Sequence, residues 1–225
     1  MRISRQQFIS ETANPTAGRT PIAFIGMAGI GKTHWSQALA KHQNYELEEA
    51  DAGIAGLLGL HAQKDSQKAV GEWLGYPWQD GFPQREQQYL AAERETLARI
   101  MYKNNCVIDT AGSAIYVPDL MADIRKRALV VYMDATGREI ELLRKYRSRP
   151  RAICWNGLFI PQEGEEFVQT YSRLLPKLME TRAKLYEQFA DVTIEASSLV
   201  KTAGIPTHEE VQKFVASIAG ELPSL

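Results

Sequence analysis

The sequence predicts an α/β domain of three layers, a central parallel sheet covered by helices on both faces. Short apolar runs alternate with amphipathic helical stretches along the chain, the pattern of βαβ units. A glycine-rich turn, Gly26-Met-Ala-Gly-Ile-Gly-Lys-Thr33, falls between the first apolar run and the first helical stretch. Apolar residues make up 44% and charged residues 24%, which suits a globular chain rather than a disordered one.

The elements follow in order. Residues 1–20 are polar and end in Asn-Pro and Ala-Gly turn signals, so they read as an arm with room for one short helix. Pro21-Ile-Ala-Phe-Ile25 has the apolar, β-forming character of a buried parallel strand. Thr33 to Lys41 sets Trp35, Ala38 and Leu39 at helical spacing. From Ala52 to Tyr76 a helical pattern is broken by glycines, each costing up to about 1 kcal/mol against alanine, which predicts short, mobile helices. Pro83 to Lys103 is a stronger amphipathic helix, marked by Tyr89, Leu90, Leu97, Ile100 and Met101. Cys106-Val-Ile-Asp-Thr110 and Leu129-Val-Val-Tyr-Met-Asp134 read as central strands. Helices are expected at 137–147 and 165–189, the second kinked or restarted at Pro176, then a strand at 191–195. Thr207 and Glu210 form a capping box opening a last helix that runs to about Ala219. The expected division is an arm at 1–20, one domain at 21–196 and a helical extension at 197–225.

Composition narrows the function. With 26 basic and 27 acidic side chains the formal charge is -1, which offers no net attraction to nucleic acid. Cys106 and Cys154 are too few for a disulfide framework and suggest reduced cytoplasmic thiols. The N-terminus has no apolar leader core, and no run of about 18 apolar residues suggests a membrane span. His34, His42, His61 and His208 lack zinc-ligand spacing. Trp73, Trp78, Trp155 and Tyr76 read as packing residues.

The turn at 26–33 satisfies G-x-x-x-x-G-K-[ST], a P-loop. Its glycines let the backbone of Gly26, Ala28, Gly29, Ile30 and Gly31 turn N–H groups onto phosphate, and the following helix presents its positive end. Lys32 would reach the β- and γ-phosphates, and the Thr33 hydroxyl would ligate the magnesium that bridges them. The expected ligand is ATP with Mg²⁺. Asp109, at the end of a strand, has two readings: a carboxylate on a magnesium-bound water, or a turn cap. Asp109-Thr-Ala-Gly112 also has the look of a GTPase switch, but no guanine-specific N-K-x-D follows a strand.

Several segments together resemble the shikimate kinase family, in order from about Ile22 to Glu195. GMAGIGKT resembles its G-x-x-G-x-G-K-[ST] loop, and Glu49-Ala-Asp51 with Ile54 resembles its D-x-D-x-x-I segment. Tyr89-Leu-Ala-Ala-Glu93 with Leu97 resembles F-R-x-x-E-x-x-x-L; VIDTAGSAIY resembles the strand ending in a G-G-G turn. Arg182-Ala-Lys-Leu-Tyr186 with Ala190-Asp191 resembles R-x-P-L-Y…A-D. The chain departs from the family pattern on the substrate side: Leu90 stands where the family has an arginine, and Ala111-Gly112-Ser113 replaces the glycines.

The resemblance implies a P-loop kinase fold and transfer from ATP to a hydroxyl of shikimate or another small polar acid. It casts Asp51 as base or orienter for the acceptor, against the plain reading of Glu46, Glu48, Glu49 and Asp51 as an acidic loop. Glu49 would hold a magnesium-bound water. Arg182, Gly112 and Ser113 would bind substrate, with Arg182 the chief carboxylate anchor unless Arg85 or Arg94 reaches in. A lid is implied at 149–164, with Arg149 bringing a cation to the nucleotide. Two alternatives stand beside this: a nucleotide-binding regulatory protein that has lost phosphotransfer, and a GTP-hydrolysing switch.

Overall fold

The computed structural model describes residues 3–14, 19–60, 65–199 and 204–224. Among them lies a sheet of five parallel strands, β1 (Ile22–Ile25), β2 (Glu46–Glu49), β3 (Cys106–Asp109), β4 (Leu129–Asp134) and β5 (Val192–Glu195), in the spatial order β2-β3-β1-β4-β5. The helices in chain order are α1 (Arg5–Ala13), α2 (Lys32–Gln43), α3 (Ala50–Leu57), α4 (Ser66–Leu74), α5 (Phe82–Ile100), α6 (Pro118–Arg127), α7 (Glu139–Ser148), α8 (Phe167–Phe189) and α9 (His208–Glu221).

Strand register assigns the layers. Phe24 pairs with Val131 and Ile25 with Tyr132, so Phe24 and Tyr132 face opposite sides of the sheet. Phe24 meets Phe214 of α9 at 5.8 Å between ring centroids, and Phe214 stacks on Trp35 of α2 at 4.2 Å. Tyr132 stacks on Tyr186 of α8 at 5.1 Å. Thus α2 and α9 cover one face and α8 the other. All four residues of β1 are buried, as a strand central to a two-faced sheet must be.

Some elements depart from expectation. Glu46–Glu49 is the edge strand β2, not an acidic loop; pairing with β3 on one side alone leaves its carboxylates room at the surface, where Lys103 binds Glu48. The sequence reading has no counterpart to α6, which starts on Pro118, buries Leu120, Met121 and Ile124, and ends in Arg125, Lys126 and Arg127. Helix α8 runs through Pro176 without restarting. The Ser172 carbonyl, which a proline at 176 has no N–H to meet, takes a long 3.5 Å hydrogen bond from Arg147 instead. The short helices expected between 52 and 76 are α3 and α4, but His61, like the rest of 61–64, lies outside the described residues. The capping box forms as expected, Thr207 and Glu210 each accepting from the other's backbone N–H.

The described part of the arm docks on the last helix. Phe8 is buried, and the Arg5 guanidinium donates to the Ala219 carbonyl at 2.8 Å. Among the described residues no helix is long and apolar enough to cross a membrane.

Helix α3, which carries Asp51, lies hard against α5. A Cβ built on Gly53 would stand 2.4 Å from Cγ2 of Thr96, a β-branched side chain with little rotamer freedom in a helix. Gly53→Ala is therefore expected to destabilise the fold by about 1–3 kcal/mol, read from urea unfolding midpoints. Adding Thr96→Ser should recover part of the loss, and an unchanged midpoint in Gly53→Ala would refute the contact.

The later strands are laid down on opposite flanks of β1: β2 and β3 on one, β4 and β5 on the other. In an open parallel sheet this switch point forms a crevice at the carboxyl ends of the strands, where ligands bind. The loop at 26–33 leaves β1 there, and Asp109 ends β3 beside it.

Candidate active site

The P-loop conformation follows from its glycines. Gly26 has φ 144°, and a Cβ on it would meet the Met133 carbonyl oxygen at 2.7 Å, so only glycine fits. Gly29, at φ 75°, occupies the left-handed region. Helix α2 begins directly after Gly31, aiming its N-terminal N–H groups at the loop. Lys32 arches back over the loop and donates from Nζ to the carbonyls of Gly26 at 2.9 Å and Met27 at 3.2 Å. Burial pushes its pKa down, while Asp109 and then Asp51 pull it back up.

A cavity of about 900 Å³ opens from this loop across the carboxyl edge of the sheet. Ala28, Gly29, Gly31, Lys32 and Thr33 line one end of it. Asp51, Ser113 and Arg182 line it as well, together with Gly112, where a Cβ would lie 3.5 Å from the Ala28 backbone nitrogen of the loop, and with Asp109 and Arg149. Gly26 and Ile30 are not on the wall: Gly26 packs under Met133, and Ile30 turns its side chain into the core. Glu49 lies beside Asp109 across the β2–β3 pair, exposed and outside the wall.

Asp109 is 8% exposed, and its Oδ1 has no hydrogen-bond partner. Burial raises its pKa against the pull of Lys32 and the Thr33 hydroxyl. Asp51 is half-buried in the first turn of α3. Its pKa is pushed up to about 6 by burial and then by Asp109, with Lys32 and a hydrogen bond from Gln67 opposing. A carboxyl with that value is ionised at neutral pH yet basic enough to accept a proton.

Arg182 of α8 is 1% exposed. It donates to the Tyr116 hydroxyl at 3.1 Å and to the Cys154 carbonyl, both neutral acceptors. A buried guanidinium held by neutral oxygens retains its charge for an anion entering the cavity. Its Nη1 lies 3.2 Å from where a Gly112 Cβ would be, so glycine at 112 lets the turn approach the guanidinium. The α5 arginines do not add a second anchor: Arg85 donates to the Leu74 and Asp80 carbonyls, and Arg94 pairs with Asp119 at the surface. Leu90 is half-buried against the core; Tyr89, one residue earlier, lines the cavity and bonds the Ser113 hydroxyl at 2.8 Å.

Two residues have larger places here than the sequence reading allots them. Glu93 is fully buried, and neither carboxyl oxygen has a hydrogen-bond partner. Burial lifts its pKa to about 8, a nearby Ser113 hydroxyl opposing, so it is largely protonated at neutral pH. Its signal was its position on the same helix face as buried Tyr89, Leu97 and Ile100. Arg151, which the sequence reading includes only as part of the lid segment 149–164, lines the cavity beside Arg149. Of the segment expected to form a lid, residues 149–154 line the cavity, Trp155 is buried, and residues 156–164 lie off the wall. Glu86 secures the turn by accepting the backbone N–H groups of Trp155 and Asn156.

The geometry suits a nucleotide. Asp109's orphan oxygen and the nearby Thr33 hydroxyl have the chemistry of residues that would hold a magnesium ion arriving with phosphates. Among the described residues no three His, Cys, Asp or Glu side chains converge to hold a metal without the nucleotide.

Comparison with known proteins agrees. The family model for shikimate kinase matches residues 28–219. A shikimate kinase from Francisella philomiragia is 29% identical over 178 residues, covering 78% of this chain and 85% of that protein. The solved shikimate kinase of Bacteroides thetaiotaomicron superposes with a TM-score of 0.58 at 23% identity, over 87% of this chain and 96% of that one. That of Acinetobacter baumannii, solved in complex with shikimate, gives 0.54 at 22% identity, over 89% and 93%. These likenesses support the P-loop fold.

Proposed function

This chain belongs to the shikimate kinase family, ATP-dependent phosphotransferases acting on a hydroxyl group, and we propose that its acceptor is shikimate or another small polar acid. The observation that carries the proposal is one cavity lined by a P-loop, a carboxylate of raised pKa and a buried guanidinium together. In this reading Arg182 takes the acid group of the acceptor and Asp51 its reacting hydroxyl. Gly112 and Ser113 line the same cavity, and the Tyr89 hydroxyl supports that of Ser113.

Asp51 takes the proton of the acceptor hydroxyl as its oxygen bonds to the γ-phosphorus; the bond to the β,γ-bridging oxygen breaks and ADP leaves with that electron pair. Asp51 then returns the proton to water. Lys32 and the backbone N–H groups of the P-loop hold the phosphates in line and meet the charge that builds on the leaving oxygen. Thr33 and Asp109 would hold the magnesium that accompanies the nucleotide, which would supply charge neutralisation to the phosphates. Glu49 joins them only if it turns in from the surface.

The test is ADP release by the purified protein with ATP and magnesium, with and without shikimate, then with other hydroxy acids and polyols. Stimulation by shikimate establishes it as acceptor; stimulation by a different hydroxy acid keeps the acidic class and replaces the compound. Stimulation by neutral polyols alone would overturn the role given to Arg182, and none by any compound would overturn phosphotransfer.

A further inference from the structure

We propose that Arg151, not Arg149, is the cation that meets the transferring phosphoryl group; the assignment rests on the phosphotransfer reading above. A Cβ built on Gly29 would lie 3.6 Å from Cζ of Arg151, 3.6 Å from Nη2 and 3.8 Å from Nη1. Near-equal distances to the three atoms mean that the guanidinium plane lies over the P-loop rather than pointing at it edge-on. Its face is thus turned to the loop, and its N–H groups remain available in the plane beside the cavity that Arg151 lines.

Three contacts hold it there. The Tyr146 ring lies 5.8 Å from Cζ, within cation–π range, and the Tyr146 hydroxyl donates to the carbonyl of Ala28 in the loop. One tyrosine therefore joins the arginine to the loop. The Arg151 backbone N–H donates to the Tyr171 hydroxyl at 3.3 Å, and the preceding Pro150 carbonyl accepts from Tyr76 at 3.1 Å. Ala152 follows within 3.8 Å of where a Gly71 Cβ would stand on α4. Residues 150–152 thus run from the P-loop to α4. Arg149 is the C-cap of α7, its backbone N–H still bound to the Lys145 carbonyl, and it lines the same wall.

A planar guanidinium over Gly29 complements the oxygens of a γ-phosphate lying against the loop, and leaves an ADP β-phosphate to Lys32 and the loop N–H groups. The experiment measures dissociation constants of ADP and of β,γ-imido-ATP, both with magnesium, for the wild type, Arg151→Ala, Arg151→Lys and Arg149→Ala, with thermal melts to establish folding. Arg151→Ala should lose the preference for the γ-phosphate by about tenfold or more while ADP affinity stays within about threefold, and Arg151→Lys should keep part of it. With any acceptor that turns over, kcat should fall at least about 10²-fold in Arg151→Ala and at least tenfold further than in Arg149→Ala. A preserved γ-phosphate preference in Arg151→Ala, or the larger loss in Arg149→Ala, overturns the assignment. If no acceptor turns over, the phosphotransfer reading fails while the nucleotide constants still decide which arginine faces the γ-phosphate.

Discussion

Lys32→Ala is expected to lower kcat/KM for ATP by at least about 10³-fold, because it removes a buried ammonium from a site that must gather several negative charges. Asp109 and Asp51 already face Lys32, and the nucleotide adds its phosphates to them. Without the lysine the carboxylates repel the ligand across a poorly solvated wall. The substitution also leaves the Gly26 and Met27 carbonyls without the Nζ that bridges them, so the loop should lose part of its preorganisation. Both effects act on bound phosphate, and both should therefore appear in affinity as well as in rate. Isothermal titration with ATP and magnesium checks the first, and steady-state kinetics the second. Circular dichroism should remain that of the wild type, since α2 and β1 are held by Trp35, Leu39 and Phe24 in the core, away from the ammonium. A folded Lys32→Ala protein with wild-type affinity and turnover would refute the P-loop assignment outright.

Much of this site was legible in the sequence because its chemistry is local. Gly26 to Thr33 carries its own geometry, and a short apolar run before it can only be a strand feeding the loop. Asp51 and Arg182 were legible through family spacing, and both line the cavity. What escaped is what depends on distant contacts. Glu46–Glu49 becomes a strand only because Glu46 and Leu47 find Cys106 and Val107 on β3, a pairing that no local pattern announces. In α6, three buried residues stand between a proline and a basic end, a signal too short to separate from a turn. Arg149 and Arg151 are indistinguishable by composition. They separate only once Tyr146 and Gly29 come together around one of them. Arg182 is similar in kind: its residue type suggested an anion anchor, but its bond to the Cys154 carbonyl, which ties the acceptor side to the segment over the P-loop, arises from tertiary packing.

Asp51→Asn should separate binding from chemistry. The amide keeps the size of the carboxylate and retains a hydrogen-bonding oxygen, so ATP affinity should change by less than about threefold, while kcat falls by about 10²–10⁴-fold for want of a proton acceptor. The wild type should show an acid limb near pH 6, where Asp51 titrates, and the residual activity of the variant should lack it. Because Asp109 and Glu49 are shifted upward as well, that limb belongs to the coupled carboxylates as a set. Stability should move in the opposite sense to activity. The folded pKa of about 6 lies above the ordinary 3.8, so the folded protein holds a proton that the unfolded chain has released. The stability tied to that proton is fully present below about pH 3.8 and is lost as the pH rises through 6. Asparagine never ionises, so Asp51→Asn should unfold at a higher temperature than the wild type at pH 8, with the difference shrinking toward pH 4. The wild type accepts that loss in exchange for a base poised near its working pH. A variant that transfers phosphate at the wild-type rate would remove Asp51 from the mechanism; a variant that is slow but no more stable at pH 8 would mean that the carboxylate is solvated and its raised pKa belongs to another member of the cluster.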